Sequence, residues 1–117
     1  MKYLALIYAA KGAGPDYGTP EFGTLIAEYE AVQKVYDKED VARAGEGLDD
    51  TGSITTVKVR DGKTETMDGP FVETKEQLGG FYVFECDNLD EAIKYAAMIP
   101  SAKYGAVELH PVMDYGN

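Results

Sequence analysis

Residues 80–86 read Gly80-Phe81-Tyr82-Val83-Phe84-Glu85-Cys86. Successive side chains of a strand point to opposite faces, so Phe81 and Val83 look one way while Tyr82 and Phe84 look the other. Both faces of this strand are apolar. The same is true of residues 2–9, where Tyr3, Ala5 and Ile7 oppose Leu4, Leu6 and Tyr8. A strand of this kind belongs inside a sheet that is covered on both sides.

The remaining elements follow from this pair. A Gly/Pro-rich loop, Lys11 to Gly18, leads to Thr19-Pro20-Glu21, a helix start with Thr as N-cap, Pro in the first turn and an acid at the positive end of the dipole. Phe22, Leu25, Ile26, Tyr29, Val32 and Val35 recur at helical spacing and form one apolar stripe. Ala44 to Leu48 predicts a short, bulged strand with Gly45 and Gly47 on either side of Glu46. Ser53–Arg60 and Lys63–Met67 flank Asp61-Gly62, the signature of a two-residue hairpin. Asp68-Gly69-Pro70-Phe71 breaks that strand, and Glu73 to Gly79 reads as a polar connection. Asn88 caps a second helix, with Glu91 three residues on. Leu89, Ala92, Ile93 and Ala97 are its expected buried side, Pro100 its end, and Ala106 to Val112 the last strand.

Strand, helix, strands, strand, helix, strand is the order of an α+β, ferredoxin-like split βαβ domain with an extra hairpin. With 117 residues, it is expected to be a single domain spanning 1–117. Two helices cover one face of such a sheet. The other would expose more apolar area than a monomer tolerates, which predicts a homodimer with the two sheets face to face. A monomer would need the hairpin and C-terminal tail to fold over that face.

Charge narrows the partners. The net charge of −10 repels phosphate, and no Lys/Arg cluster reverses it locally, so direct nucleic-acid binding and docking on an anionic membrane are disfavoured. No run approaches the ~18 apolar residues of a membrane span, and Tyr3 and Tyr8 interrupt the first ten residues in a way that suits a strand better than a signal peptide. The single cysteine, Cys86, excludes an internal disulfide and fits a reducing, cytoplasmic setting.

The candidate site residues are mostly acids and tyrosines. Asp68 precedes Gly-Pro, where its carboxylate either closes the turn or stands at a strand end as a general base. Glu46 sits between glycines that allow close approach, and Glu108 lies on the last strand; with Asp68 they would make a carboxylate cluster, the alternative being two solvated acids. His110 is either a satisfied hydrogen-bonding group or a site residue. Glu73 and Lys75 either order a pocket mouth or form a solvated connection. Tyr8, Tyr82 and Tyr104 would line a cleft or edge the core with wet hydroxyls. Cys86 reads as an inert packing thiol. One His and one Cys make no zinc set, and Gly79-Gly80 precedes a strand, so no helix dipole awaits a phosphate there. No cofactor is expected.

Met1-Lys2-Tyr3-Leu4, Ala44-Gly45-Glu46-Gly47-Leu48, Asp68-Gly69-Pro70-Phe71 with Glu73-Thr74-Lys75-Glu76, Leu78-Gly79-Gly80-Phe81-Tyr82, and Tyr104-Gly105 before Val107-Glu108 occur in this order. Together they resemble the YCII-related proteins of the DGPF-domain branch. The resemblance implies a dimeric ferredoxin-like α/β barrel. It also implies a cleft, which in the wider group holds a suspected His–Asp pair; here the first helix has no histidine, and Pro100-Ser101 stands where the Asp is expected. Association with a sigma factor of the extracytoplasmic-function type is a further implication. Three functions follow as expectations: an enzyme using Asp68 as general acid/base, a small-molecule binding module in the same cleft, or a regulatory partner.

Overall fold

The computed structural model describes residues 1–49 and 52–116. Its elements are β1 (Lys2–Ala10), α1 (Pro20–Glu39), β2 (Ala42–Gly47), β3 (Thr55–Arg60), β4 (Lys63–Asp68), β5 (Glu76–Glu85), α2 (Leu89–Ala96), a short 3-10 helix (Pro100–Lys103) and β6 (Ala106–Pro111). The strands β2-β5-β1-β6 form one antiparallel sheet in that spatial order. This is the neighbour order of a ferredoxin-like domain, consistent with the expected split βαβ pattern. The hairpin β3–β4 pairs only with itself.

Local chemistry starts and stops the helices. Thr19 accepts from the Phe22 amide at 3.2 Å and donates to the Asp16 carbonyl at 2.7 Å. Asp40 closes α1 in the left-handed region at φ 55°. Asn88 accepts from the Glu91 amide at 3.0 Å, and Glu91 reaches back to the Asp87 amide at 2.8 Å. At the hairpin tip Asp61 and Gly62 both take positive φ, 51° and 75°, as a type I′ turn demands.

Both helices cover the same face of the sheet. There Tyr3, Ala5, Ile7, Tyr82 and Phe84 are buried beneath Tyr36 of α1 and Ala92, Tyr95 and Ala96 of α2. Tyr36 is the hub. Its ring meets Tyr82 and Phe84 edge-on at 5.2 and 5.1 Å, and its hydroxyl donates to the Tyr95 carbonyl at 2.7 Å. Burial pushes the Tyr36 phenol far above its ordinary pKa, with Tyr82 and Tyr29 adding to the shift.

The second face has no helix. Leu4, Leu6, Tyr8, Phe81 and Val83 lie there half-buried by their neighbours in the sheet. Val57 and Val59 of the hairpin are 61% and 60% exposed, and residues 112–116 are exposed throughout. Neither the hairpin nor the tail therefore serves as the cover a monomer would require.

Three expectations are corrected. The strand expected at Ala44–Leu48 spans Ala42–Gly47. The polar stretch expected to be a connection from Glu73 to Gly79 instead enters β5 at Glu76, pairing with β1 through Ala10 past a bulge at Ile7/Tyr8; backbone ladders at a strand end do not need apolar side chains. The second helix buries Ala92, Tyr95 and Ala96, while Leu89 and Ile93 are 49% and 50% exposed and Ala97 is exposed. Tyr95, the bulkier side chain, takes the place against Phe84 and Tyr36 and turns the helix accordingly.

Candidate functional site

Between α1 and the sheet lies a cleft with two lobes of about 330 and 410 Å³. Ile7, Leu25, Tyr29, Gly79 and Ser101 line both lobes, which are therefore adjacent. Phe22 and Ile26 of α1 give the cleft apolar wall, and on its sheet side Gly45, Gly47, Gly79 and Gly80 stand beside Ile7 and Tyr82. A Cβ on Gly80 would come within 2.9 Å of the Glu46 carbonyl oxygen, so close strand packing as well as an open wall requires glycine.

Three linked hydroxyls stand in this cleft. Tyr29 and Ser101 are 2.6 Å apart, and Ser101 and Tyr104 3.2 Å. They come from distant parts of the chain: α1 supplies Tyr29, the 3-10 helix supplies Ser101, and Tyr104 follows at that helix's end. Ser101 is nearly buried, at 9% exposure. Burial raises the Tyr29 pKa against the opposing effect of the Ser101 hydrogen bond, and burial also raises that of Tyr82. Both phenols are therefore neutral donors rather than bases near neutral pH.

The expected site residues divide among three places. Glu46, Tyr82 and Tyr104 line the cleft. Tyr8, Glu108 and His110 belong to the open face of the sheet, where Glu108 and His110 meet at 2.7 Å opposite Leu6 and Leu4. Asp68 and Glu73 lie outside both. Asp68 ends β4 and is exposed; the turn after it is held by the Gly69 amide on the Ile54 carbonyl and by Thr56 on the Gly69 carbonyl, each at 2.7 Å. Glu73 is exposed in the following segment, where the Thr74 hydroxyl bonds to the Glu76 carbonyl.

The carboxylate cluster does not form. Glu46 and Glu108 stand on opposite edge strands, β2 and β6, with two strands between them, a separation of roughly 14 Å at ~4.8 Å per strand. Among the described residues no three of His, Cys, Asp and Glu stand together as a metal group would need. Burial, with Glu91 nearby, raises the Cys86 pKa, in keeping with a packing thiol. No helix among the described residues is long and apolar enough to cross a membrane.

Tyr29 and Ser101 escape a sequence reading as site residues. Tyr29 is concealed in the apolar stripe of α1, and Ser101 draws notice only because it stands where the resemblance leads one to expect an acid. Gln33, also in the cleft, gives no signal at all.

Residues 1–115 match the model of the YCII-related domain family. The chain belongs to the YCII-related family. This YCII-related chain is also similar to an uncharacterized protein of Rhizobium meliloti (strain 1021), 33% identical over 117 residues that cover 98% of this chain and 94% of the relative.

Proposed function

We propose that this YCII-related protein, of the DGPF branch by its Asp68-Gly69-Pro70-Phe71 motif, is a homodimeric small-molecule binding domain. In this reading the open sheet faces of two copies pack together as an α/β barrel, and each copy holds a small, partly apolar ligand in the cleft between α1 and the sheet. The observation that carries the binding reading is the linked Tyr29–Ser101–Tyr104 hydroxyls lining a cleft whose other walls include Ile7, Leu25 and Leu48 as well as glycines. A few convergent polar groups among apolar walls is the ordinary make-up of a ligand site. The dimer reading rests on Leu4, Leu6, Phe81 and Val83 having no helix over them.

Catalysis through Asp68 is the reading this one displaces, because Asp68 is exposed on the hairpin and does not line the cleft. The test is a thermal-shift screen of small organic compounds against the wild type and Leu25→Trp, which fills the cleft. A true ligand raises the melting temperature of the wild type alone, by the equivalent of about 2.7 kcal/mol at a hundredfold excess over Kd, and is recovered unchanged. A compound recovered as a new product would make the protein an enzyme. A screen with no stabilising compound would remove the binding reading.

A further inference from the structure

The hydroxyl chain deepens that reading, on which the following rests, by indicating what kind of ligand group the cleft takes. Each hydroxyl carries one proton. Tyr29, Ser101 and Tyr104 thus bring three protons to two oxygen–oxygen contacts. Each contact uses one proton, so one remains, whichever way the chain is oriented. Among the described residues the side-chain hydrogen bonds of these hydroxyls run to one another, and the Ser101 backbone amide, itself a donor, adds a contact to the Tyr29 oxygen without taking up that proton. Since Tyr29 and Ser101 line both lobes and Tyr104 one of them, the unspent proton is available to a ligand in the cleft.

The charges around the cleft select the acceptor. Its charged lining residues, Lys11, Asp16 and Glu46, are all exposed and belong to the mouth. Lys103 and Arg43 are already engaged, with Glu28 and with Glu85 and Asp40. The inner part offers Ile7, Tyr82 and Ser101, all buried and none charged. An anion brought to the hydroxyls would leave water without a cation beside it, and an ammonium would do so without a carboxylate; both are costly. An uncharged oxygen acceptor needs only the one proton on offer.

We propose that the Tyr29–Ser101–Tyr104 chain donates its unspent proton to an uncharged carbonyl oxygen on a small, mostly apolar ligand. Four compounds on one phenyl skeleton test this: acetophenone, ethylbenzene, benzoate and 1-phenylethylammonium. Binding is followed by NMR titration on the wild type and on a hydroxyl-free variant, Tyr29→Phe/Ser101→Ala/Tyr104→Phe. Acetophenone is expected to bind the wild type about fivefold more tightly than ethylbenzene, the worth of one hydrogen bond, with both ions weakest. The preference vanishes in the variant. Should that variant fail to fold, the carbonyl stretch of acetophenone bound to the wild type decides, since it must move to lower wavenumber on accepting a hydrogen bond.

Equal binding of ethylbenzene and acetophenone, or an unshifted carbonyl band, overturns the donor role and leaves the cleft a binding site. Tightest binding of either ion overturns the choice of an uncharged group. If none of the four binds, the cleft reading falls together with this one.

Discussion

The Tyr82 ring lies across the backbone of Gly45, so close that a Cβ on Gly45 would stand 2.6 Å from its Cδ1 and 2.9 Å from its Cε1. Tyr82 cannot simply swing aside: it is stacked on Phe84 at 5.6 Å and meets Tyr36 edge-on. Gly45→Ala is therefore expected to cost about 1–3 kcal/mol by overpacking. Gly47→Ala, two residues along the same strand, meets open space and stays within roughly 0.5 kcal/mol of the wild type. Chemical denaturation of the two variants makes the comparison, and equal midpoints would contradict the contact.

The buried phenols predict alkaline lability. Tyr36, Tyr29 and Tyr82 all have pKa values raised in the folded state, chiefly by burial. Above the unfolded value of 10.0, the unfolded chain loses these protons while the folded chain keeps them. Stability from this source is thus complete below that pH and declines as the pH climbs toward the folded values. Urea unfolding between neutral pH and the alkaline range should show the decline, with a shallower slope in Tyr36→Phe. An identical slope in that variant would show that Tyr36 ionises as freely when folded as when unfolded.

Self-association is testable on the open sheet face. Leu6 pairs with Glu108 on one side and Phe81 on the other. In Leu6→Lys a lone protomer gains a partner for the new charge in Glu108, whereas packed sheets would bury it. The variant is expected to keep its far-UV circular dichroism and to weaken the dimer at least ~100-fold, from lost apolar burial plus charge desolvation. Light scattering across micromolar concentrations reads the mass. Wild-type protein with the mass of one chain throughout would end the dimer proposal.

The Asp68-Gly69 turn separates two roles carried by adjacent residues. Gly69 has φ 93°, a conformation costly for a side-chain-bearing residue. Gly69→Ala is expected to lower stability by about 1 kcal/mol or more, while Asp68→Asn, at an exposed position, changes it by less than ~0.5 kcal/mol. Thermal unfolding of both checks this. A larger loss from Asp68→Asn would make its carboxylate the turn's main support.

How much of this was open to a sequence reader depended on distance along the chain. Thr19, Asn88 and the Asp61-Gly62 turn act on backbone within a few residues, so their signals are complete in the local string. The two-sided apolar strands likewise declared that one sheet face would lack a helix, though not which. Glu108 and His110 share a face because they are two apart on a strand. The Tyr29–Ser101 contact joins residues 72 positions apart, and only the packing of α1 over the sheet creates it. In α2 apolar residues occur on more than one side, so periodicity alone did not decide between Leu89 and Tyr95.

The hairpin carries a different kind of consequence. Val57, Val59, Thr64 and Thr66 occupy one of its sides, while Lys58, Arg60, Lys63 and Glu65 occupy the other with Met67. A two-stranded ribbon is barely stable alone, and this one shares no ladder with the main sheet. Its amide protons should therefore be surrendered to heavy water well before those of β1 and β5. Melting there leaves the aromatic cluster around Tyr36 undisturbed, so one molecule carries two thresholds of unfolding.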